Sequence, residues 1–205
     1  MNIKRRTALA RVSLLGFACL PLHACKRPIA TFNGIDITGA TYGNDFHLTG
    51  HDGKPTTLSQ FKGKYVMLFF GYTQCPDICP TALTRALNIR KQLGAMGKQL
   101  QVLFITVDPE RDTPQLLAQY MAAFDPTFLG IYGSLQQTEE VAKAFKVFYK
   151  KVPNDNANTD SYSMDHTAIT YVYDIANKIR LAFKHEQSAE LCAADLRTLI
   201  QTQSS

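Results

Sequence analysis

Two uninterrupted apolar runs constrain the fold of this chain more than any other feature. Residues 65–70 (Tyr-Val-Met-Leu-Phe-Phe) and 101–107 are continuous rather than alternating, which is typical of strands covered on both faces of a sheet. Between them, residues 82–93 carry apolar side chains at helical spacing and end at Gly94. A strand, a helix and a second parallel strand form a right-handed crossover, so the sequence predicts an α/β architecture.

The remaining elements predict a central mixed sheet flanked by helices. Thr113 is a good N-cap and Pro114 suits a first helical position, so a helix is expected over 114–124. Residues 168–173 and 179–183 alternate and predict an antiparallel hairpin. Residues 150–164 are polar and rich in Asn and Asp, and they predict an exposed loop. Further predicted elements are a short hairpin (46–49 and 56–58), a weaker strand (128–132) and helices over 135–145 and 189–200.

The first 24 residues have the pattern of a signal peptide. A cationic stretch precedes an apolar one over residues 12–22, which is too short to span a bilayer. The segment ends in Leu22-His23-Ala24-Cys25, which resembles the lipobox of bacterial lipoprotein precursors and implies a diacylglyceryl group on Cys25. The alternative is an ordinary secretory signal cut near Ala24, with Cys25 incidental. Lipid would tether the protein to the membrane of the bacterial cell envelope, facing the periplasm.

The chain downstream of this signal predicts one domain on a short tether. Residues 25–41 are polar and glycine-punctuated, so we expect a tether there and a single globular domain over 42–205. The four cations that precede Cys25 take the net charge of +5 down to +1 in the remainder. A net charge of +1 gives no sign of the basic surface that nucleic-acid binding needs, so no nucleic-acid partner is expected.

Three of the five cysteines remain after the signal, Cys19 being removed and Cys25 lipidated. Cys192 shares a helical stripe with Leu196, where a free cysteine acts as a small apolar side chain. Cys75 and Cys79 instead flank the predicted start of the first helix, directly after the first buried strand. Ligands of α/β sheets bind beyond the carboxyl ends of the strands, and a helix N-terminus favours thiolates. These two cysteines are therefore the candidates for chemistry.

The spacing of Cys75 and Cys79 favours a metal. Thiolates four residues apart can hold one soft cation such as Cu(I), whereas a redox dithiol usually has cysteines three apart. A plain disulfide stays open, since one helical turn keeps the Cα atoms within about 6 to 7 Å. A third ligand is needed, and His166 precedes a strand that, if antiparallel, begins at the cysteine edge. The other candidate histidines, expected to be spectators, are His47, His51 and His185.

The three motifs of this region resemble the Sco/SenC proteins. These are residues 71–80 (Gly-Tyr-Thr-Gln-Cys-Pro-Asp-Ile-Cys-Pro), residues 107–114 (Val-Asp-Pro-Glu-Arg-Asp-Thr-Pro) and the pair Asp165-His166. The resemblance implies a thioredoxin-like fold in which Cys75, Cys79 and His166 bind copper for the CuA centre of cytochrome c oxidase. Copper would be held as Cu(I), with Cu(II) plus an added oxygen ligand left open, until oxidase subunit II accepts it. A periplasmic copper donor or thiol reductant would be a further partner.

Two other activities compete with copper delivery. A thiol-disulfide reductase could use Cys75 and Cys79 as a redox disulfide on the same fold. Thioredoxin-type reductases have a cis-proline just before the strand that faces the dithiol, whereas His166-Thr167 occupies that place here, which favours metal. A peroxidase is a weaker alternative, because the second cysteine and His166 fit that chemistry poorly. For the polar loop 108–112, a site-orienting role, a partner contact and a merely solvated loop all stay open.

Overall fold

The computed structural model describes residues 31–153 and 162–203. Ten strands and four α-helices are present in these ranges, with short 3-10 helices at Leu58–Phe61 and Gly94–Gln99. The strands are β1 (Ile35–Asp36), β2 (His47–Gly50), β3 (Pro55–Thr57), β4 (Tyr65–Gly71), β5 (Leu100–Thr106), β6 (Leu129–Tyr132), β7 (Tyr149–Pro153), β8 (Tyr162–His166), β9 (Thr170–Tyr173) and β10 (Ile179–Phe183). The helices are α1 (Ile78–Leu93), α2 (Pro114–Phe124), α3 (Leu135–Ala144) and α4 (Ala189–Gln203).

Eight strands form one mixed sheet in the order β1-β10-β9-β4-β5-β6-β2-β3. The central strands β4, β5 and β6 are parallel, and the strands on either side of them are antiparallel. Every residue of β4 is buried, as its continuous apolar run predicts. The expected α/β class, the mixed sheet and both predicted hairpins are therefore confirmed.

The register of the central strands brings the ends of several strands to one side of the sheet. Gly71, the last residue of β4, pairs with Thr106, the last residue of β5. The antiparallel strand β9 begins opposite the end of β4, because Thr170 pairs with Phe69. The loops that follow β4 and β5 and the chain that enters β9 consequently meet at one edge, which we call the site edge.

The prediction of a loop over residues 150–164 is wrong at both of its ends. β7 and β8 pair there as an antiparallel hairpin that forms a sheet of its own, separate from the main one. Buried Met164 alternates with exposed Asp165 in β8, so only a few apolar residues mark the strand within a polar stretch. Residues 154–161 lie outside the described part of the chain.

The folded domain begins earlier than the sequence predicts. β1 pairs with β10 through Ile35 and Ala182, inside the segment expected to be a tether. The buried carboxylate of Asp195 accepts hydrogen bonds from the backbone amides of Asn33 (2.8 Å) and Gly34 (2.7 Å). Because Ala182 lies near the end of β10, the chain approaches β1 from the site edge.

The predicted signal peptide and Cys25 lie outside the described residues. Within the described ranges, the helices are too short or too polar to cross a membrane.

Candidate metal centre

Three sequence-predicted residues converge at the site edge. Ligand atoms of Cys75, Cys79 and His166 all lie within 4.8 Å of one another. Cys79 lies in the first turn of α1 and is fully buried, whereas Cys75 in the preceding loop and His166 at the end of β8 are half-buried. The Cys79 sulfur lies 3.5 Å from Nε2 of His166, and the Cys79 backbone amide donates to the Cys75 sulfur at 3.4 Å. Two sulfurs and one imidazole nitrogen therefore face one small volume.

Two aromatic rings hold the imidazole of His166 in place. Phe69 and Tyr72 both meet it edge to face, with ring centroids 5.8 and 5.9 Å away. Nδ1 lies 3.2 Å from the carbonyl oxygen of Thr167, which can only accept a hydrogen bond. Because Nδ1 is directed at this carbonyl, Nε2 is the ring nitrogen that faces the sulfurs.

The two thiols share one proton. A hydrogen bond from the Cys79 side chain, with further ones from His166 and from backbone amides at the start of α1, lowers the pKa of Cys75 to about 3. Donating to Cys75, together with burial, raises the pKa of Cys79 well above its ordinary value. The pair thus carries one preformed thiolate at neutral pH. A cation bound between the sulfurs would displace the remaining proton, as metal binding to thiols generally does.

The last residue of β4 leaves room for the Cys79 sulfur. A Cβ atom at Gly71 would lie 2.6 Å from Cys79 Sγ and within 2.9 Å of the rings of Phe104 and Phe69. Any side chain there would force the sulfur or the rings to move, so glycine is favoured by space rather than by backbone conformation. This packing becomes visible only when α1 is docked against the end of β4.

A buried carboxylate anchors the cysteine loop to the neighbouring strand. Asp112 accepts hydrogen bonds from the Thr73 hydroxyl at 2.5 Å, the Thr73 amide at 3.0 Å and the Thr106 hydroxyl at 2.6 Å. Burial raises the pKa of Asp112, an effect that these hydrogen bonds oppose. Asp112 thereby fixes the approach to Cys75, which is the site-orienting role that the sequence left open for the loop 108–112. Its partner Thr73 was not predicted, because the two residues are 39 positions apart.

The other side chains considered from the sequence lie elsewhere. Cys192 is fully buried in α4 within the hydrophobic core, which confirms the core assignment. Nδ1 of His51 accepts a hydrogen bond from the Gly130 amide at 3.0 Å, so His51 links β6 to the turn after β2. Across residues 31–153 and 162–203, the group formed by Cys75, Cys79 and His166 is the one cluster of three potential metal ligands.

Comparison with known proteins places these features in a family. The SCO1/SenC family model matches residues 36–201. An SCO2-like protein of Rickettsia conorii is 36% identical over 162 residues, covering 79% of this chain and 78% of the relative. Protein sco1 of Schizosaccharomyces pombe is 34% identical over 192 residues, covering 91% and 72%.

Solved structures of Sco proteins resemble this chain in both fold and sequence. Bradyrhizobium japonicum ScoI with copper bound is 38% identical and superimposes with a TM-score of 0.68 over 77% of this chain and 98% of that one. Apo Sco1 from Thermus thermophilus is also 38% identical, with a TM-score of 0.73 and coverages of 83% and 98%. With the family model spanning nearly all of the described domain, this chain belongs to the SCO1/SenC family.

Proposed function

We propose that this protein binds copper through Cys75, Cys79 and His166 and delivers it to the CuA centre in subunit II of cytochrome c oxidase. The observation that carries this proposal is the convergence of two sulfurs and one imidazole nitrogen within 4.8 Å. The copper-bound state of the Bradyrhizobium japonicum relative supports it. Copper is in this view the cargo of the protein.

The donor set suits copper in two oxidation states. Thiolates are soft ligands that select Cu(I), and imidazole binds copper readily. Two sulfurs and one nitrogen would leave room for an added oxygen ligand on Cu(II). The burial of the ligands is graded, since Cys79 is enclosed while Cys75 and His166 are half-buried. An acceptor approaching the site edge would meet Cys75 and His166 first, which favours stepwise ligand exchange over permanent retention.

Reductase chemistry is the second candidate, and one observation favours it. The lowered pKa of Cys75 makes it a thiolate at neutral pH, able to attack a partner disulfide, with Cys79 as the resolving thiol. The same pair could form a Cys75–Cys79 disulfide, which would need a periplasmic thiol reductant before copper could bind. Against a dedicated reductase stands the imidazole of His166, held 3.5 Å from the Cys79 sulfur by two rings.

A membrane anchor is part of the proposal. We infer that residues 1–24 are a lipoprotein signal, that Cys25 is lipidated and that the domain faces the periplasm. Seven residues lie between Cys25 and Asn33, and the eight Cα–Cα steps that join the two span at most about 28 Å when fully extended. Because the chain reaches β1 from the site edge, this short tether would keep the metal site near the membrane that holds the oxidase.

The test is removal of the imidazole. His166→Ala should weaken Cu(I) binding by at least roughly 10 to 100-fold, since outer-shell changes alone cost that much at metal sites. Affinity is measured anaerobically by competition with a chromogenic chelator, and CuA assembly by oxidase activity in cells that lack the native protein. Oxidation of the dithiol should persist in this variant. His47→Ala, which changes an exposed histidine on β2, is the matched control.

The outcome that contradicts the proposal is specific. If His166→Ala kept full copper affinity and CuA assembly, while activity toward a disulfide-bonded partner disappeared, the reductase function would replace copper delivery.

A further inference from the structure

The strand that carries His166 is not hydrogen-bonded into the main sheet. β7 and β8 pair only with each other among the described strands. Three residues link His166 to β9, so the opposite end of β8, at Tyr162, depends on contacts between this hairpin and the domain. Side chains two apart in a strand lie on one face, so Tyr162, Met164 and His166 share a face of β8. Met164 is buried, and its neighbour Asp165 is exposed, which identifies that face as the one turned toward the domain.

Tyr162 is fastened to the loop that follows β5. Its hydroxyl donates to one carboxylate oxygen of Asp108 at 2.8 Å, and the other oxygen forms an ion pair with Nε of Arg111. Asp108 is only 1% exposed, so this carboxylate is enclosed by its partners. The guanidinium carbon of Arg111 lies 3.6 Å from the centroid of the Tyr162 ring. Stacking, ion pair and hydrogen bond thus close a three-residue latch formed by Asp108, Arg111 and Tyr162.

Arg111 also reaches both parts of the metal centre. Its Nη1 donates to the backbone carbonyl of Tyr162 at 2.8 Å and to Oε1 of Gln74 at 3.2 Å. Gln74 precedes Cys75 directly, and Tyr162 begins the strand that ends in His166. One guanidinium therefore connects the cysteine loop to the histidine hairpin. The planar guanidinium of arginine can form the ion pair and both hydrogen bonds at once, which the single ammonium group of lysine cannot reproduce.

We infer that Asp108, Arg111 and Tyr162 are positioning residues that hold the His166 imidazole against the two cysteines. The inference rests on the proposed copper function and adds residues that lie beyond the three ligands. Opening the latch frees β8 at the end remote from His166, so the strand can move away from the domain. The centre then keeps its two thiols and loses a well-placed imidazole.

The test compares Arg111→Gln with Lys150→Gln. Both substitutions remove one positive charge, but Lys150 is exposed on β7, on the same hairpin and outside the latch. Arg111→Gln should weaken Cu(I) affinity by roughly 10 to 100-fold, the range for outer-shell changes at metal sites, while Lys150→Gln should match the wild type. Arg111→Lys should fail to restore affinity. Tyr162→Phe, which keeps the ring and loses the hydroxyl, should fall between Arg111→Gln and the wild type.

Two readouts separate positioning from general stability. X-ray absorption at the copper edge should show a weaker imidazole contribution in Arg111→Gln with the sulfur contribution retained. In the reduced apo protein, nuclear Overhauser contacts between the rings of His166 and Tyr72 should weaken, and this measurement needs no copper. If Arg111→Gln matched Lys150→Gln in affinity and in these contacts, the latch would be refuted. If the wild type bound no copper yet Arg111→Gln lost the contacts, the copper function would fail and the positioning role would stand.

Discussion

Replacing Gly71 by alanine tests whether the end of β4 is shaped around the Cys79 sulfur. The added methyl group would lie 2.6 Å from that sulfur, 2.8 Å from the Phe104 ring and 2.9 Å from the Phe69 ring. Non-bonded heavy atoms settle at about 3.5 to 4.0 Å, so the sulfur has to retreat by roughly 1 Å. Metal–ligand distances tolerate about 0.2 Å, which makes that displacement large for a bound ion.

Gly71→Ala should lower both the stability of the domain and its copper affinity. Overpacking of a dense core destabilises a protein by about 1–3 kcal/mol. For a domain of this size each kcal/mol lowers the melting temperature by roughly 2–4 °C, which differential scanning calorimetry resolves. Copper affinity should fall as well, by at least about tenfold if the displaced sulfur costs as much as an outer-shell change, and chelator competition on the reduced protein measures that loss.

Gly130→Ala is the matched control for this experiment. A Cβ atom there would meet Leu117 at 3.1 Å and Met121 at 3.2 Å, so the neighbours need to move by only a few tenths of an ångström. We expect a smaller loss of stability and unchanged copper affinity. If Gly71→Ala bound copper as the wild type does and melted no lower than Gly130→Ala, the steric role assigned to Gly71 would be incorrect.

Three further predictions concern the other cysteines and the thiolate. Because the pKa of Cys75 is about 3, its thiolate persists as pH falls from 8 to 5, and its alkylation by iodoacetamide should change by less than about twofold. An ordinary thiol would slow about a thousandfold over that range, and such a decline, followed by peptide mass spectrometry, would argue against the shared proton. Cys192→Ser places a hydroxyl in the core and should lower stability by about 1–3 kcal/mol in urea unfolding, with copper binding retained. Copper loss in this variant equal to that of Cys75→Ser would overturn the core assignment. Intact-mass measurement of membrane-extracted protein should show acyl chains on Cys25, whereas a soluble, unacylated mature form would contradict lipidation.

Local patterns predicted those parts of the fold that have strong periodicity. The unbroken apolar run of β4 reports burial on both faces, and Thr113-Pro114 marks the start of α2 through a side-chain cap and a proline that needs no amide partner. The sequence did not predict the polar strand β8 or the two-residue strand β1, because neither is long or apolar enough to differ from a loop. β8 pairs with β7, which shows the same weak pattern, and β1 pairs with β10, which lies in a distant part of the chain.

What the sequence alone determined about this protein is the parallel β4-α1-β5 unit, the pair of cysteines at the start of its helix, and the residue types able to bind copper. These follow from periodicity and spacing over short distances along the chain. Tertiary structure alone decided how the ligands are supported: the space that Gly71 leaves for a sulfur, the anchoring of Thr73 by Asp112, and the bridge that Arg111 makes to Tyr162. Each of these depends on distances of a few ångströms between residues 8 to 51 positions apart, and such distances exist only after the sheet has brought its strand ends to one edge.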